Sequence, residues 1–253
     1  MLSARALDGL PEVFPGDDLA ALIAEALQTS RATPDVADGA VLVIAHKAVS
    51  KAEGRIRALS DVTPGDRALD LARRLDKDPR LVEVILGESK GVLRAERGVL
   101  ICVTRHGLVC ANAGVDASNV PGEDTVVLLP RDPDASARAL RARLRELTGA
   151  APGIVITDSF GRAWRNGQVD TTIGCAGVEP LEDWRGRHDA TGRELKATVI
   201  AIADELAAAA DLVRTKDGQQ PVILVHGAAR HLTASDGPGA AALIRPEGRD
   251  LFR

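Results

Sequence analysis

Three stretches of the chain concentrate side chains capable of chemistry. In the first, Asn112, Asp116, Ser118 and Asn119 bring two amides, a carboxylate and a hydroxyl directly behind an apolar run. The same residue types also build ordinary turns, because Asn, Asp and Ser bond to their own backbone. In the second, Thr157 to Gln168, Asp158 and Ser159 end an apolar run, and Arg162 and Arg165 are expected in a loop beyond it. Two carboxylates about 4 Å apart repel by roughly 4 kcal/mol at an effective dielectric near 20. Asp116 and Asp158 can therefore share a site only around a cation. Mg²⁺ or Mn²⁺ suits, since hard divalent ions take carboxylate and hydroxyl oxygens, keep some waters and add substrate phosphates. The third stretch, His46 to Arg55, sets Lys47, Lys51 and Arg55 at the carboxyl end of an apolar run, where α/β folds tend to form ligand crevices. These cations suit phosphates, yet Lys47 and Lys51 are also spaced as on one solvated helical face.

The common nucleotide and hydrolase motifs are missing. No GxxxxGK[ST] and no Gly-Lys dipeptide occurs, which excludes a Walker phosphate loop. The GxG at Gly237-Pro238-Gly239 lies in a proline-containing turn near the end of the chain, so a Rossmann dinucleotide site is disfavoured. HExxH and GxSxG are absent, and His46, His106, His188, His226 and His231 lie singly. Catalysis must rest on carboxylates, amides and cations. A net charge of -4, 2% aromatic residues and no Tyr offer neither a basic field nor stacking platforms, so no nucleic-acid partner is expected. Cys102, Cys110 and Cys175 form no CxxC pair and are expected as buried free thiols. No apolar run approaches the ~20 residues needed to cross a bilayer, and no basic-then-apolar leader opens the chain. The expectation is a cytoplasmic protein with no membrane partner.

These residues must be positioned by regular elements. Leu19, Leu22, Ile23, Ala26 and Leu27 recur at helical spacing behind Asp17 and Asp18. Asp78-Pro79 opens a second helix carrying Leu81, Val82, Ile85 and Leu86, with Gly87 as its stop. Asp132-Pro133-Asp134 caps a third, with Leu140, Leu144 and Leu147 inward and Arg138, Arg141, Arg143 and Arg145 over a solvated remainder. An alanine-rich fourth, Ala197 to Val213, is apolar on most sides and expected to be central. The runs 40–45, 153–157 and 221–225 read as strands covered on both faces. Residues 98–104 and 108–113 read as a hairpin turning at Arg105-His106-Gly107. With no regular βαβ cadence and no biased linker, the expectation is a mixed α/β (α+β) fold over residues 1–253, one unit of two intimate lobes.

Seven motifs then stand in one order and spacing: GLPEVFPGDDLA (9–20), HKAVSKAEGR (46–55), VCANAGVDASNV (109–120), LLPRDPDASA (128–137), TDSFGRAWRNGQVD (157–170), GREL (192–195) and ADELAAAADLV (203–213). Together they resemble the coenzyme F420-0:L-glutamate ligase family, over about Asp8 to Arg253. The resemblance implies a GTP-dependent carbon–nitrogen ligase of coenzyme F420 biosynthesis. Such an enzyme joins the α-amino group of L-glutamate to the phospholactyl carboxylate of coenzyme F420-0, in some members adds γ-linked glutamates, and releases GDP and phosphate. An acyl phosphate is the implied intermediate. The resemblance further implies Mg²⁺ or Mn²⁺, two per site, a K⁺ ion, and an intertwined homodimer outside the Walker and Rossmann classes.

Carried over position by position, Asp116 and Asp158 match metal ligands, and Ser159 stands where a second-metal hydroxyl ligand is usually threonine. Asn119 matches a nucleotide contact. Leu10, Pro11, Glu12, Val13, His46, Lys47 and Lys51 fall where the family binds GTP. So does the run Arg214, Thr215, Lys216, Asp217, Gly218, Gln219, Gln220, Pro221. Asp116, Asp158 and Lys51 are the catalytic residues this implies. Lys216 departs from the acidic second-metal ligand that some relatives carry, with Asp217 adjacent. Taken without the resemblance, the same groups serve a metal-dependent phosphohydrolase or nucleotidyl transferase equally well. A non-catalytic nucleotide-binding module is the reading from another class.

Overall fold

A computed structural model describes residues 1–37, 39–118, 122, 124–215 and 217–251. In chain order its elements are β1 (Ser3–Ala6), α1 (Leu19–Thr29), α2 (Thr33–Ala37), β2 (Val41–Ala45), α3 (His46–Ala52), β3 (Ile56–Ala58), α4 (Asp66–Leu75), α5 (Pro79–Gly87), β4 (Ser89–Glu96), β5 (Val99–Thr104), β6 (Val109–Ala111), β7 (Thr125–Val127), α6 (Pro133–Thr148), β8 (Gly153–Arg162), β9 (Arg165–Ala176), β10 (Glu182–Asp183), β11 (Val199–Ile200), α7 (Ile202–Asp211) and β12 (Val222–His226), joined by short 3₁₀ turns. The fold is mixed α+β, as the sequence leads one to expect.

Five strands form the central sheet in the order β1-β12-β2-β8-β9. Only β2 and β8 run parallel; every other neighbour in that sheet is antiparallel. One parallel pair cannot generate a βαβ rhythm, which is why none is visible in the chain. Continuous apolar runs arise because both faces are covered. Leu42, Ile44, Ile154, Ile156, Val222 and Leu224 join one core with residues of α1 and α6, while Val41, Val43, Val155, Ile223 and Val225 join another with residues of α7. The helix ends follow their capping residues. Asp18 accepts from the Ala21 N–H at 3.0 Å, Asp132 from the Ala135 N–H at 2.9 Å, and Gly149 closes α6 at φ +78°.

A smaller lobe builds a separate core from α4, α5 and the three-stranded sheet β4-β5-β6, with Leu71, Leu75, Val82, Ile85, Leu100 and Cys102 inside. All three cysteines are free and buried, and Cys102 stands opposite Cys110 across β5 and β6. Among the described residues no helix is long and apolar enough to cross a membrane.

Three expectations change in detail. The loop anticipated after Asp158 is the outer half of a long hairpin, in which Ser159 pairs with Asp170 and Arg162 with Arg165. That arm is exposed toward its tip, so no apolar alternation marks it in the sequence. The alanine-rich helix spans only Ile202–Asp211, because Val199 and Ile200 pair with Asp183 and Glu182 instead. Arg141 is buried rather than solvated. Its guanidinium donates to Asp236 at 2.8 Å, to the Pro152 and Thr233 carbonyls at 3.1 Å each and to the Ala234 carbonyl at 3.3 Å, a planar fork meeting four acceptors.

Candidate active site

β2 passes into α3 without a loop, so the polar residues His46, Lys47 and Lys51 begin where the buried strand ends. Two distant segments close on this junction. The Ala45 N–H donates to the Pro221 carbonyl at 2.8 Å, and Arg214 donates to the Val43 carbonyl at 3.2 Å, which ties the run after α7 to the end of β2. Lys51, 9% exposed, forms an ion pair with Glu12 and so brings in the segment before α1. Val13 of that segment is buried, and Leu10 packs against the core of α1 and α6. Three stretches picked out from sequence as nucleotide contacts are thus neighbours. Within the last of them, a Cβ on Gly218 would lie 2.2 Å from the Thr215 hydroxyl, so a side chain there would require that hydroxyl to turn away. Asn119 and Lys216 lie outside the described residues.

Both expected carboxylates border the first turn of α3. Asp158 Oδ1 lies 3.2 Å from Nε2 of His46, a buried ring whose Nδ1 sits 3.3 Å from the Ser50 hydroxyl. The Asp158 contact lacks hydrogen-bond alignment, leaving His46 Nε2 buried with no hydrogen-bond partner among the described residues. Asp116 Oδ2 lies 2.7 Å from Lys47 Nζ, and the same ammonium donates to the Ser118 hydroxyl and carbonyl at 2.6 and 3.0 Å. Burial alone would raise the Asp116 pKa. The Lys47 ammonium and the Ser118 N–H outweigh it and hold the carboxyl below its ordinary value. Asp158 is also close enough to Cys110 that its charge helps to push that thiol up, after burial itself. Asp158 therefore lies near β6, the strand that leads into Asn112 and Asp116.

Ser159 faces the other way. Successive strand residues alternate sides, and Asp158 shares the parity of Ile154 and Ile156 whereas Thr157 and Ser159 share that of Val155. On the α7 side, Ser159 Oγ donates to Asp170 Oδ1 at 2.6 Å and Thr157 Oγ1 donates to Asp170 Oδ2 at 2.9 Å. Arg214 completes this group through a buried ion pair with Asp170. Burial lowers the Arg214 pKa, against the raising effect of the Asp170 charge. Asp170 was not among the residues expected at the site, although it ends the TDSFGRAWRNGQVD motif; only the hairpin register places it against Ser159. Arg162 and Arg165 sit at the exposed hairpin tip, where Arg162 donates to the Asn166 carbonyl at 2.7 Å.

The donor chemistry fits a divalent cation. Asp116 is biased toward its ionised form, and beside Asp158 a buried ring nitrogen lacks a hydrogen-bond partner. Among the described residues no three His, Cys, Asp or Glu side chains cluster as a ready cage. The remaining ligands would have to be hydroxyls, waters and phosphates, a shell that Mg²⁺ and Mn²⁺ commonly accept.

Fold and site together define a mixed α+β protein whose acidic and cationic side chains meet at the end of a central strand, without a Walker or Rossmann loop. A family model described as F420-0:Gamma-glutamyl ligase matches residues 9–227. The chain is 48% identical over 244 residues to the coenzyme F420:L-glutamate ligase of Methanopyrus kandleri, covering 96% of this chain and 94% of that protein. It is 44% identical over 253 residues to the protein of the same name from Methanothermobacter thermautotrophicus, covering 100% and 99%. With the one from Haloarcula marismortui it shares 43% over 255 residues, covering 98% and 94%. The chain belongs to the F420-0:gamma-glutamyl ligase family.

Proposed function

We propose that the protein joins L-glutamate to coenzyme F420-0 at the expense of GTP, through an acyl phosphate. The reading is supported by family membership and by one observation above all, the meeting of Asp116 and Asp158 with the first turn of α3. A carboxylate is a poor electrophile until one of its oxygens becomes part of a leaving group. In the first step the phospholactyl carboxylate takes the γ-phosphoryl group of GTP, giving GDP and an acyl phosphate. In the second the glutamate α-amine attacks the acyl carbon, the C–O bond to phosphate breaks, and the amine loses a proton as the amide forms.

This chain's own residues hold the charges in place. Asp116 and Asp158 would bind Mg²⁺ or Mn²⁺, and the Ser159 hydroxyl would serve a second ion. Bound there, the ions supply charge neutralisation for the transferring phosphoryl group. Lys47 and Lys51 release part of their hold on Asp116 and Glu12 and turn toward nucleotide phosphates, stabilising charge that grows in transfer. His46, held at Nδ1 by Ser50, sets its Nε2 3.2 Å from Asp158. Leu10 to Val13, Asn119 and Thr215 to Pro221 complete the nucleotide site. A K⁺ ion and a homodimer, as the family resemblance implies, belong to this reading.

The test is incubation of the purified protein with F420-0, GTP, L-glutamate and Mn²⁺, followed by mass spectrometry. The expected product carries one or more added glutamates, and Asp158→Asn abolishes it while leaving the circular-dichroism spectrum intact. Phosphate release indifferent to the acceptor would show a phosphohydrolase, and GTP binding without turnover would show a binding module.

A further inference from the structure

The smaller lobe is an insertion. Among the described residues, every buried member of its core lies from Leu59 to Leu128, while the buried members of the other two cores lie at or before Val49 and at or after Leu129. The chain therefore crosses between the lobes twice, once after α3 and once before α6. The two crossings run side by side. β3 and β7 pair antiparallel, with Ile56 opposite Val127, and the Leu128 N–H donates to the Arg55 carbonyl at 2.9 Å. Asp116 joins this ribbon, exchanging backbone hydrogen bonds with Val127 at 3.1 and 2.8 Å. The carboxylate paired with Lys47 is thus carried on the connection between the lobes.

Two short strands alone make a marginal, readily twisted unit. Arg55 braces it. Its Nε donates to the Leu129 carbonyl at 2.9 Å, where the ribbon enters the larger lobe. Its Nη2 donates at 2.7 Å to Oε2 of Glu88, the residue that ends α5 in the smaller lobe. The two side chains are only 15% and 17% exposed, so solvent and salt screen the pair far less than a surface one. A planar guanidinium can meet a carbonyl and a carboxylate at fixed angles, which a lysine ammonium cannot. His106 Nε2, 2.9 Å from the Pro130 carbonyl and 3.1 Å from that of Arg131, makes a second tie from the turn between β5 and β6.

We propose that Arg55 is a positioning residue which, held by Glu88 of the smaller lobe and Leu129 of the larger, fixes the β3–β7 ribbon so that Asp116 stands in register with Lys47 and Asp158 for a divalent cation. The proposal rests on the metal-assisted reading above. It makes Arg55 a brace between the lobes instead of a phosphate contact.

The experiment compares the natural protein with Glu88→Gln, Arg55→Lys and, as a control, Leu71→Val, which trims the smaller core away from the brace. Hydrogen–deuterium exchange on the full chain without metal reads the ribbon. In Glu88→Gln and Arg55→Lys, peptides covering Ile56–Ala58 and Thr125–Val127 are expected to exchange about tenfold faster, as for loss of one charge-assisted hydrogen bond, while α5 and β5 exchange as in the natural protein. Mn²⁺ titration followed by electron paramagnetic resonance reads the site. Affinity should fall by about tenfold to a hundredfold in those two variants, with the number of sites unchanged, and should hold in Leu71→Val. Unchanged ribbon exchange in both variants would overturn the proposal. So would equal acceleration across α5 and β5, or lost sites at unchanged affinity, each the mark of a merely stabilising pair. Mn²⁺ affinity untouched in a loosened ribbon would overturn it as well. A natural protein that binds no Mn²⁺ would instead overturn the metal reading, while the exchange data still show whether Arg55 braces the lobes. If Glu88→Gln does not fold, Arg55→Met/Glu88→Met removes both charges together and is read by the same two measurements.

Discussion

The Lys47 ammonium and the Asp116 carboxylate, at 2.7 Å, join the first turn of α3 to the loop that follows β6. The pair holds Asp116 ionised against its own burial. A carboxyl with a depressed folded-state pKa contributes stability that is present above the unfolded value, near 3.9, and lost as pH falls through the folded one. Lys47→Met should therefore lower stability at pH 7, with the deficit shrinking in the acid limb. The effect should be about 1 kcal/mol or less, because Asp116 is 42% exposed and solvent screens the pair. Urea unfolding at pH 7 and pH 3.5 measures it, and a deficit equal at both would separate Asp116 from Lys47.

Arg214 is a larger liability. Its replacement by Met leaves the Asp170 carboxylate buried with only the Thr157 and Ser159 hydroxyls as donors. Breaking one side of a buried ion pair costs about 3–5 kcal/mol. Denaturant unfolding should show a loss of that order, and a loss below about 1 kcal/mol would mean that water reaches Asp170.

Asp204 carries the opposite sign. Burial raises its pKa, and the Thr172 N–H, donating at 2.9 Å, offsets this only in part. A raised carboxyl binds its proton more tightly in the folded state, so stability falls as pH rises from the unfolded value, near 3.9, through the folded one, and the cost is in full force above it. Asp204→Asn keeps an acceptor for Thr172 and removes the charge. Its Tm should exceed that of the natural protein at pH 7 and converge with it near pH 3.5; a lower Tm at pH 7 would show that the ionised carboxylate is needed.

Gly174 marks where α6 lies on β9. A Cβ there would stand 2.4 Å from the Pro133 carbonyl carbon and oxygen, which are backbone and cannot swing aside. Gly174→Ala should lower stability by roughly 1–3 kcal/mol or more. Gly87→Ala, which meets nothing within 4 Å at the end of α5, should stay within about 1 kcal/mol of the natural protein. Equal melting temperatures for the two variants would contradict this packing.

The thiols should be silent in the folded state. Burial raises Cys102 and, helped by nearby acidic charges, pushes Cys110 and Cys175 up to about 12. A disulfide reagent at pH 8 should label almost nothing until denaturant is added, and then all three cysteines. Rapid labelling of native protein would mean that β5 and β6 open readily.

Covered elements and capped helix ends were legible in the sequence. Val41–Ala45, Gly153–Thr157 and Val222–Val225 are uninterrupted apolar runs because helices pack on both faces of their sheet, and Asp18, Asp78 and Asp132 each stand where a helix begins. β1, β3, α4 and the outer half of the β8–β9 hairpin were not anticipated. The outer half of that hairpin, exposed toward its tip, leaves little apolar periodicity to detect.

The sequence by itself determined the family, the α+β class and the chemical types at the site, since order, spacing and residue type are properties of the chain. Which groups touch was decided by tertiary structure alone. Lys47 reaches Asp116, Lys51 reaches Glu12, and Arg214 turns inward to Asp170, because β2 lies beside β8 and β12 in the sheet. Strand pairing between remote segments sets these distances, and no local pattern encodes it.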